Sequence, residues 1–243
     1  MIHRLLILAT MALSGALSIT LGSDGAPAKP GVAVADMLSA LQGLSGILMA
    51  LLRRHTTGLG DYIDIAMHHV ALAALPNVMG ATMSRRPQPD PKPERTTGGS
   101  AFYQIYETSD GRHLVLGAQE LKFVRNLLGR LGRQDLVPLC ERGPGPHQAP
   151  VIELLRTMFK DKTLAHWMAW FAGMDVSFAP VNTLREALDD INIREQGLIL
   201  KDERGREHIA PAVRFMHEPA EPSLKEPALG EHNWLLTPPK PNA

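Results

Sequence analysis

Apolar residues recur at three- and four-residue spacing from Leu38 to Leu52, the strongest periodic signal in the chain. Leu38, Leu41, Leu44, Leu48 and Leu51 share one helical face, and Ile47 and Leu52 widen it. Ser39, Ala40, Gly43, Ser45 and Gly46 are small, so another segment can approach this helix closely. Asp36 opens the pattern at the position expected of an N-cap. Arg53-Arg54 closes it, where cations suit the negative helix end. Thr57-Gly58-Leu59-Gly60 predicts a turn and Tyr62-Ile63-Asp64-Ile65 a short strand. Met67 to about Met79 predicts a second buried helix, kinked or ended by Pro76.

The pattern changes at Arg85. Residues 85–95 carry four prolines among charges and predict an extended linker, the best domain boundary in the chain. A hairpin follows, from Ala101 to Thr108 and back from His113 to Gly117, with Asp110-Gly111 as its turn. Helical patterns cover about 119–131, 149–160 and 163–172. Val176 to Val181 predicts a strand, Thr183 to Leu188 a short helix, and 198–215 a second hairpin around Asp202-Glu203-Arg204-Gly205. Residues 22–31 read as a loop, and the proline-rich stretch from Glu218 as an extended tail.

The start of the chain supports two readings. Arg4, the apolar run from Leu5 to Leu21 and the small residues at Ala16-Leu17-Ser18 resemble a secretory signal peptide. A buried helix packed inside a larger domain has the same look.

Composition narrows the function classes. The chain is 44% hydrophobic and 21% charged, which permits a sizeable core in an ordinary globular protein. Lys plus Arg balances Asp plus Glu at 25 each, so bulk charge favours neither nucleic acid nor an anionic membrane surface. Neither is expected as a partner. Cys140 is the one cysteine, so no internal disulfide forms. No Cys/His cluster has zinc spacing, and His68-His69 point to different helix faces, so no metal is expected. A reducing, cytoplasmic location follows as an expectation.

Two carboxylates and a glycine pair are the candidates for chemistry. A helix start orients a carboxylate and keeps it ionised, as a carboxylate nucleophile requires, although capping alone explains most such aspartates. Glu120, in Gly117-Ala118-Gln119-Glu120-Leu121-Lys122-Phe123, stands where a strand hands over to a helix. There it complements the helix dipole as a first-turn residue, or acts as a general acid/base if folding brings it near Asp36. Gly98-Gly99 reads as a turn, or as a loop over an active site with N–H groups near a thioester carbonyl.

Together these segments resemble the family III CoA-transferases, the CaiB/BaiF group. The resemblance rests on Val34-Ala35-Asp36, on Ile47 to Arg54, and on the string from Thr57 to Met67. Ala179-Pro180-Val181-Asn182, Glu186-Ala187-Leu188 and Leu229-Gly230-Glu231-His232 resemble the family's later blocks. It extends into Ala12 to Leu17, which favours an internal family helix over an export signal.

The resemblance implies an α/β chain with a partial family fold. Residues 1–90 would be a remnant of the large domain with the nucleophile helix and linker. Residues 91–189 would be a small α+β domain, and 190–243 a C-terminal segment returning to the large domain. A Rossmann-like segment that supplies much of the CoA site would be lacking at the front. The resemblance also implies catalysis by Asp36 and Glu120, with Gly98 and Gly99 as the substrate loop. CoA would move from an acyl-CoA to a carboxylic acid through a covalent aspartyl intermediate. Coenzyme A would be a cosubstrate, with no cofactor bound permanently and the CoA-binding residues undefined. A homodimer, or a partner chain supplying the front segment, would complete the enzyme. One alternative is the sister branch of α-methylacyl-CoA racemases, whose carboxylate pair matches Asp36 and Glu120. Their opposing histidine would fall near Leu6-Ile7, and His3 is out of register. The other alternative is a non-catalytic remnant or a split subunit.

Overall fold

Gly15 breaks the N-terminal apolar run into two short helices, α1 (Ile7–Leu13) and α2 (Ala16–Ile19), by adopting φ 81°, a left-handed conformation that favours glycine. The computed structural model describes residues 7–22, 24–84 and 90–236. The expectations that touch His3, Leu6, residues 85–89 of the linker and the last seven residues lie outside that set. The chain divides into two compact units, residues 1–180 and 181–243.

In the first unit α3 (Val34–Thr57) is the long helix expected from the leucine spacing. It begins two residues before Asp36. Val34 and Ala35 are drawn into a small apolar cluster with Met11 and Ala16, and this burial fixes the entry of the helix. Ala33 is the N-cap and Asp36 the third helical residue, which corrects the expected cap at Asp36. The far end stops at Gly58, whose φ of 74° lets its N–H donate to the Arg54 carbonyl at 2.8 Å. By length and composition alone α3 could cross a membrane.

The expected strand at 62–65 is absent. Residues 61–66 are irregular, and among the described residues no strand pairs with them. Ile63 and Ile65 instead lie over Gly46: a Cβ there would meet Ile63 Cγ2 at 3.2 Å and Ile65 Cδ1 at 3.4 Å. The small residues of α3 therefore receive isoleucine side chains. An Arg53–Asp61 ion pair at 2.7 Å ties the segment back to the helix. The second apolar helix divides into α4 (Met67–Ala73) and α5 (Pro76–Met83), because Pro76 lacks an N–H and fits the first helical position.

The larger core lies after the proline-rich stretch. β1 (Tyr103–Glu107) pairs antiparallel with β2 (His113–Gly117), Tyr103 opposite Gly117 and Glu107 opposite His113. Three helices follow: α6 (Leu121–Arg130), α7 (Val137–Glu141) and α8 (Ala149–Phe159). Then α9 (Leu164–Phe171) starts on Thr163, whose hydroxyl accepts the His166 N–H. β3 (Phe178–Pro180) completes a three-stranded sheet in the order β1-β2-β3. Phe102, Leu114, Leu128, Leu155, Phe159 and Phe171 are among the side chains removed from water between sheet and helices. The Trp167 indole donates to the Phe159 carbonyl at 2.9 Å, so its polar handle is satisfied in the apolar interior.

The second unit holds α10 (Leu184–Asp189), α11 (Ile191–Glu195) and a two-stranded hairpin of β4 (Ile199–Lys201) and β5 (Glu207–Ile209). Thr183 and Glu186 form a reciprocal capping box on α10. Asp202 organises the hairpin turn, its carboxylate accepting from the Arg204 and Arg206 N–H groups at 2.9 and 2.8 Å and from Arg206 Nε at 2.6 Å. Burial pushes this carboxyl up, but those donors, together with His208, outweigh it and hold it well below the usual carboxylate range.

Candidate functional site

Asp36 stands in the first turn of α3, on the exposed side of a helix whose neighbouring residue Ala35 is fully buried. No hydrogen bond or ion pair occupies its carboxylate among the described residues. It stands at the N-terminal end of a 24-residue helix. A carboxylate that is exposed and unengaged is available for attack on an electrophile.

Glu120 is the N-cap residue of α6 (φ −65°, ψ 135°), one position before the expected first turn. Its carbonyl accepts the Phe123 and Val124 N–H groups, but its side chain makes no cap bond. Glu120 lines an open hollow of about 530 Å³ with Arg95, Tyr103, Gly117, Gln119 and Leu121. A second hollow of about 510 Å³ shares Tyr103 and Gly117 and extends to Thr96, Thr97, Gly98, Ile105 and Leu21. A third, lined by Glu94 to Thr97 and by Ala74 to Val78, reaches the junction of α4 and α5. Glu120 and Gly98 thus border adjoining hollows, and Asp36 lines none of these three.

The glycine pair is held from several sides. Gly98 has φ 135°, and its carbonyl accepts from Gln104 Nε2 at 2.7 Å. Gly99 is buried, donates its N–H to the Glu94 carbonyl and accepts from the Gly145 N–H, each at 2.8 Å. Gln148, 3% exposed, accepts the Ala101 N–H at 2.8 Å and donates to the Gly143 carbonyl at 2.7 Å. The Tyr106 hydroxyl donates to the Ala101 carbonyl at 2.7 Å. These bonds anchor the loop beneath the hollows to the core.

Arg95 and Tyr103 were not among the residues singled out by sequence. Arg95 closes a proline-rich stretch that reads as a linker, and Tyr103 reads as one more aromatic strand residue. Their outward placement follows from three-dimensional packing alone. Cys140 is buried and its thiol is pushed up to about 11 by that burial, so it stays protonated near neutrality. The His68 and His69 rings lie 6.0 Å apart and tilted, and no cluster fit for a metal occurs among the described residues.

The model of CoA-transferase family III matches residues 8–233, nearly the whole chain. The chain belongs to that family. Among curated family III relatives it resembles, mouse succinyl-CoA:glutarate CoA-transferase is 27% identical over 91% of this chain and 52% of its own length. Human alpha-methylacyl-CoA racemase is 32% identical over 91% of this chain and 58% of its own length. The chain thus spans a little over half the length of these relatives. Among solved structures, a CAIB/BAIF family protein from Brucella suis superposes with a TM-score of 0.74 at 22% identity, covering 95% of this chain and 61% of its own. Rv3272 of Mycobacterium tuberculosis gives 0.75 at 21%, covering 97% and 64%. The fold is therefore the α/β fold of family III, represented over about three fifths of those structures.

Proposed function

We propose that this family III chain moves CoA from an acyl-CoA thioester to a carboxylic acid, with Asp36 as the covalent carrier. The observation that supports this reading is the unengaged Asp36 carboxylate in the first turn of α3, inside the region matched by the family.

Asp36 attacks the thioester carbonyl, the C–S bond breaks, and an acyl-aspartyl anhydride and CoA thiolate result. The thiolate attacks the aspartyl carbonyl of the anhydride, expelling the first acid as its carboxylate and leaving an aspartyl-CoA thioester. The acceptor carboxylate attacks that carbonyl, releasing thiolate and forming a second anhydride. Thiolate attack on the acceptor's acyl carbonyl yields the new acyl-CoA and regenerates Asp36. No net proton is consumed. Glu120 lines the hollow adjoining that of Gly98 and orients the bound thioester, while an acid/base role for it belongs to the proton-transfer reading below. Gly98-Gly99 forms the substrate loop.

CoA is a cosubstrate in this reading and no cofactor stays bound. The division into 1–90, 91–189 and 190–243 is part of the same proposal. So is completion of the site by a second copy or a partner chain, consistent with a relative named as the beta subunit of a succinyl-CoA–L-malate CoA-transferase in Chloroflexus aurantiacus.

Hydroxylamine trapping during incubation with succinyl-CoA tests the reading. An adduct on Asp36 that vanishes in Asp36→Asn supports it; no adduct with any acyl-CoA counts against it. The 32% identity to human alpha-methylacyl-CoA racemase favours a second reading, in which Asp36 and Glu120 move the proton α to a thioester. Deuterium wash-in at that carbon without CoA exchange would select it.

A further inference from the structure

Arg95 borders two adjoining hollows. On one side it faces the space lined by Glu120, Gln119 and Tyr103; on the other it joins Thr96 and Thr97. Several arginines of this chain are neutralised: Arg125 by Glu141 at 2.6 Å, Arg185 by Asp189 at 2.6 Å, Arg206 by Asp202 at 2.6 Å. No carboxylate lies within ion-pair distance of Arg95 among the described residues, although Glu94 and Glu120 share its hollows.

A guanidinium presents a planar fork of donors that matches a carboxylate in two parallel hydrogen bonds. Placed at a hollow of about 530 Å³, it offers a landing point for the far end of a short acidic chain. Gln119 and Tyr103 add neutral polar groups around it. The carboxylate of Glu120 in the same space makes a second anion unfavourable anywhere but on the arginine.

We propose that Arg95 is a specificity-determining residue that receives the remote carboxylate of a dicarboxylic acyl group. The inference rests on the reading that the acyl-CoA binds beside Glu120. Its substrates are acyl chains with a second acid at the end opposite the thioester. An uncharged chain of the same length leaves Arg95 without a partner and binds less tightly.

Calorimetric titration of the full chain with succinyl-CoA, butyryl-CoA and free CoA tests this. The first two ligands have the same carbon count and differ in the terminal carboxylate. The wild type is expected to prefer succinyl-CoA. Arg95→Ala should weaken succinyl-CoA about tenfold or more and leave butyryl-CoA and CoA unchanged, with partial retention in Arg95→Lys. Equal weakening of all three ligands overturns the proposal, since the guanidinium would then serve the CoA phosphates. Unchanged succinyl-CoA binding in Arg95→Ala overturns it, as does a wild type that binds no succinyl-CoA. Asp36→Asn should keep the preference, so a missing Asp36 adduct leaves this inference standing while the covalent reading falls.

Discussion

A Cβ on Gly99 would lie 1.9 Å from the carbonyl oxygen of Pro93. The obstacle is backbone, so no side-chain rotation relieves it. Gly99→Ala should cost about 3 kcal/mol in urea unfolding and disturb the hollows beside it. Gly111→Ala is the comparison: its φ is 71° but nothing lies within 4 Å of the added carbon. It should cost about 1 kcal/mol, from backbone strain alone.

Gln148→Ala removes the partner of the buried Ala101 N–H, while the half-buried Gly143 carbonyl keeps its 2.9 Å contact with His147 Nε2. Leaving the Ala101 N–H unpaired in the interior should cost about 1–3 kcal/mol in chemical denaturation. The same experiment on an exposed glutamine, Gln196→Ala, should register less than about 0.5 kcal/mol.

Asp36→Asn should leave the melting temperature within about 1–2 °C of wild type, since the side chain is exposed and unpartnered among the described residues. Loss of the covalent adduct with an unchanged melt would separate a chemical role for Asp36 from a structural one. Calorimetry and hydroxylamine trapping on the same preparation give both readouts.

Asp189 accepts from Arg185 at 2.6 and 2.8 Å and also from Arg194, and these bonds hold its carboxyl near about 2, below the ordinary 3.8. A depressed carboxyl stabilises the folded state fully above its unfolded value and loses that contribution as pH falls through the folded one. The α10–α11–β5 cluster should therefore weaken between about pH 4 and pH 2. Carbon-detected NMR titration of Asp189 should place its midpoint near 2, and Arg185→Ala should raise it. A midpoint at the ordinary value in the wild type would exclude the cluster.

Leu41, Leu44, Ile47, Leu48 and Leu52 are exposed along α3, and Leu52 is 72% exposed. A contiguous apolar face of this kind needs cover. Sedimentation velocity on the purified chain should show a species larger than 26.5 kDa, and Leu48→Lys should shift it downward.

Much of this was legible beforehand. The leucine spacing located α3, the Asp110-Gly111 pair located the hairpin, and Thr183 with Glu186 marked the start of α10. Errors arose where tertiary packing overrode local pattern. The Tyr62–Ile65 run has strand composition, but its isoleucines are taken up by the glycines of α3. Asp36 has cap chemistry, but burial of Val34 and Ala35 starts the helix earlier. The Asp36, Glu120 and Gly98-Gly99 candidates came from strings resembling a family, since single residues carry no such information. Arg95 is not legible in the sequence, because a proline-rich neighbourhood gives no hint of what the residue borders.

The hairpin described above also sorts its residues by parity. Among the ten residues of β1 and β2, the even positions Tyr106, Leu114 and Leu116 hold the core, while Tyr103, Ile105, Val115 and Gly117 turn the other way and line the second hollow, which Gln104 and Leu116 also edge. Most of what keeps the sheet folded and most of what borders the hollow are thus written on alternate letters of one short text. A library confined to the odd letters should re-tune what the hollows accept while the even letters keep the sheet folded.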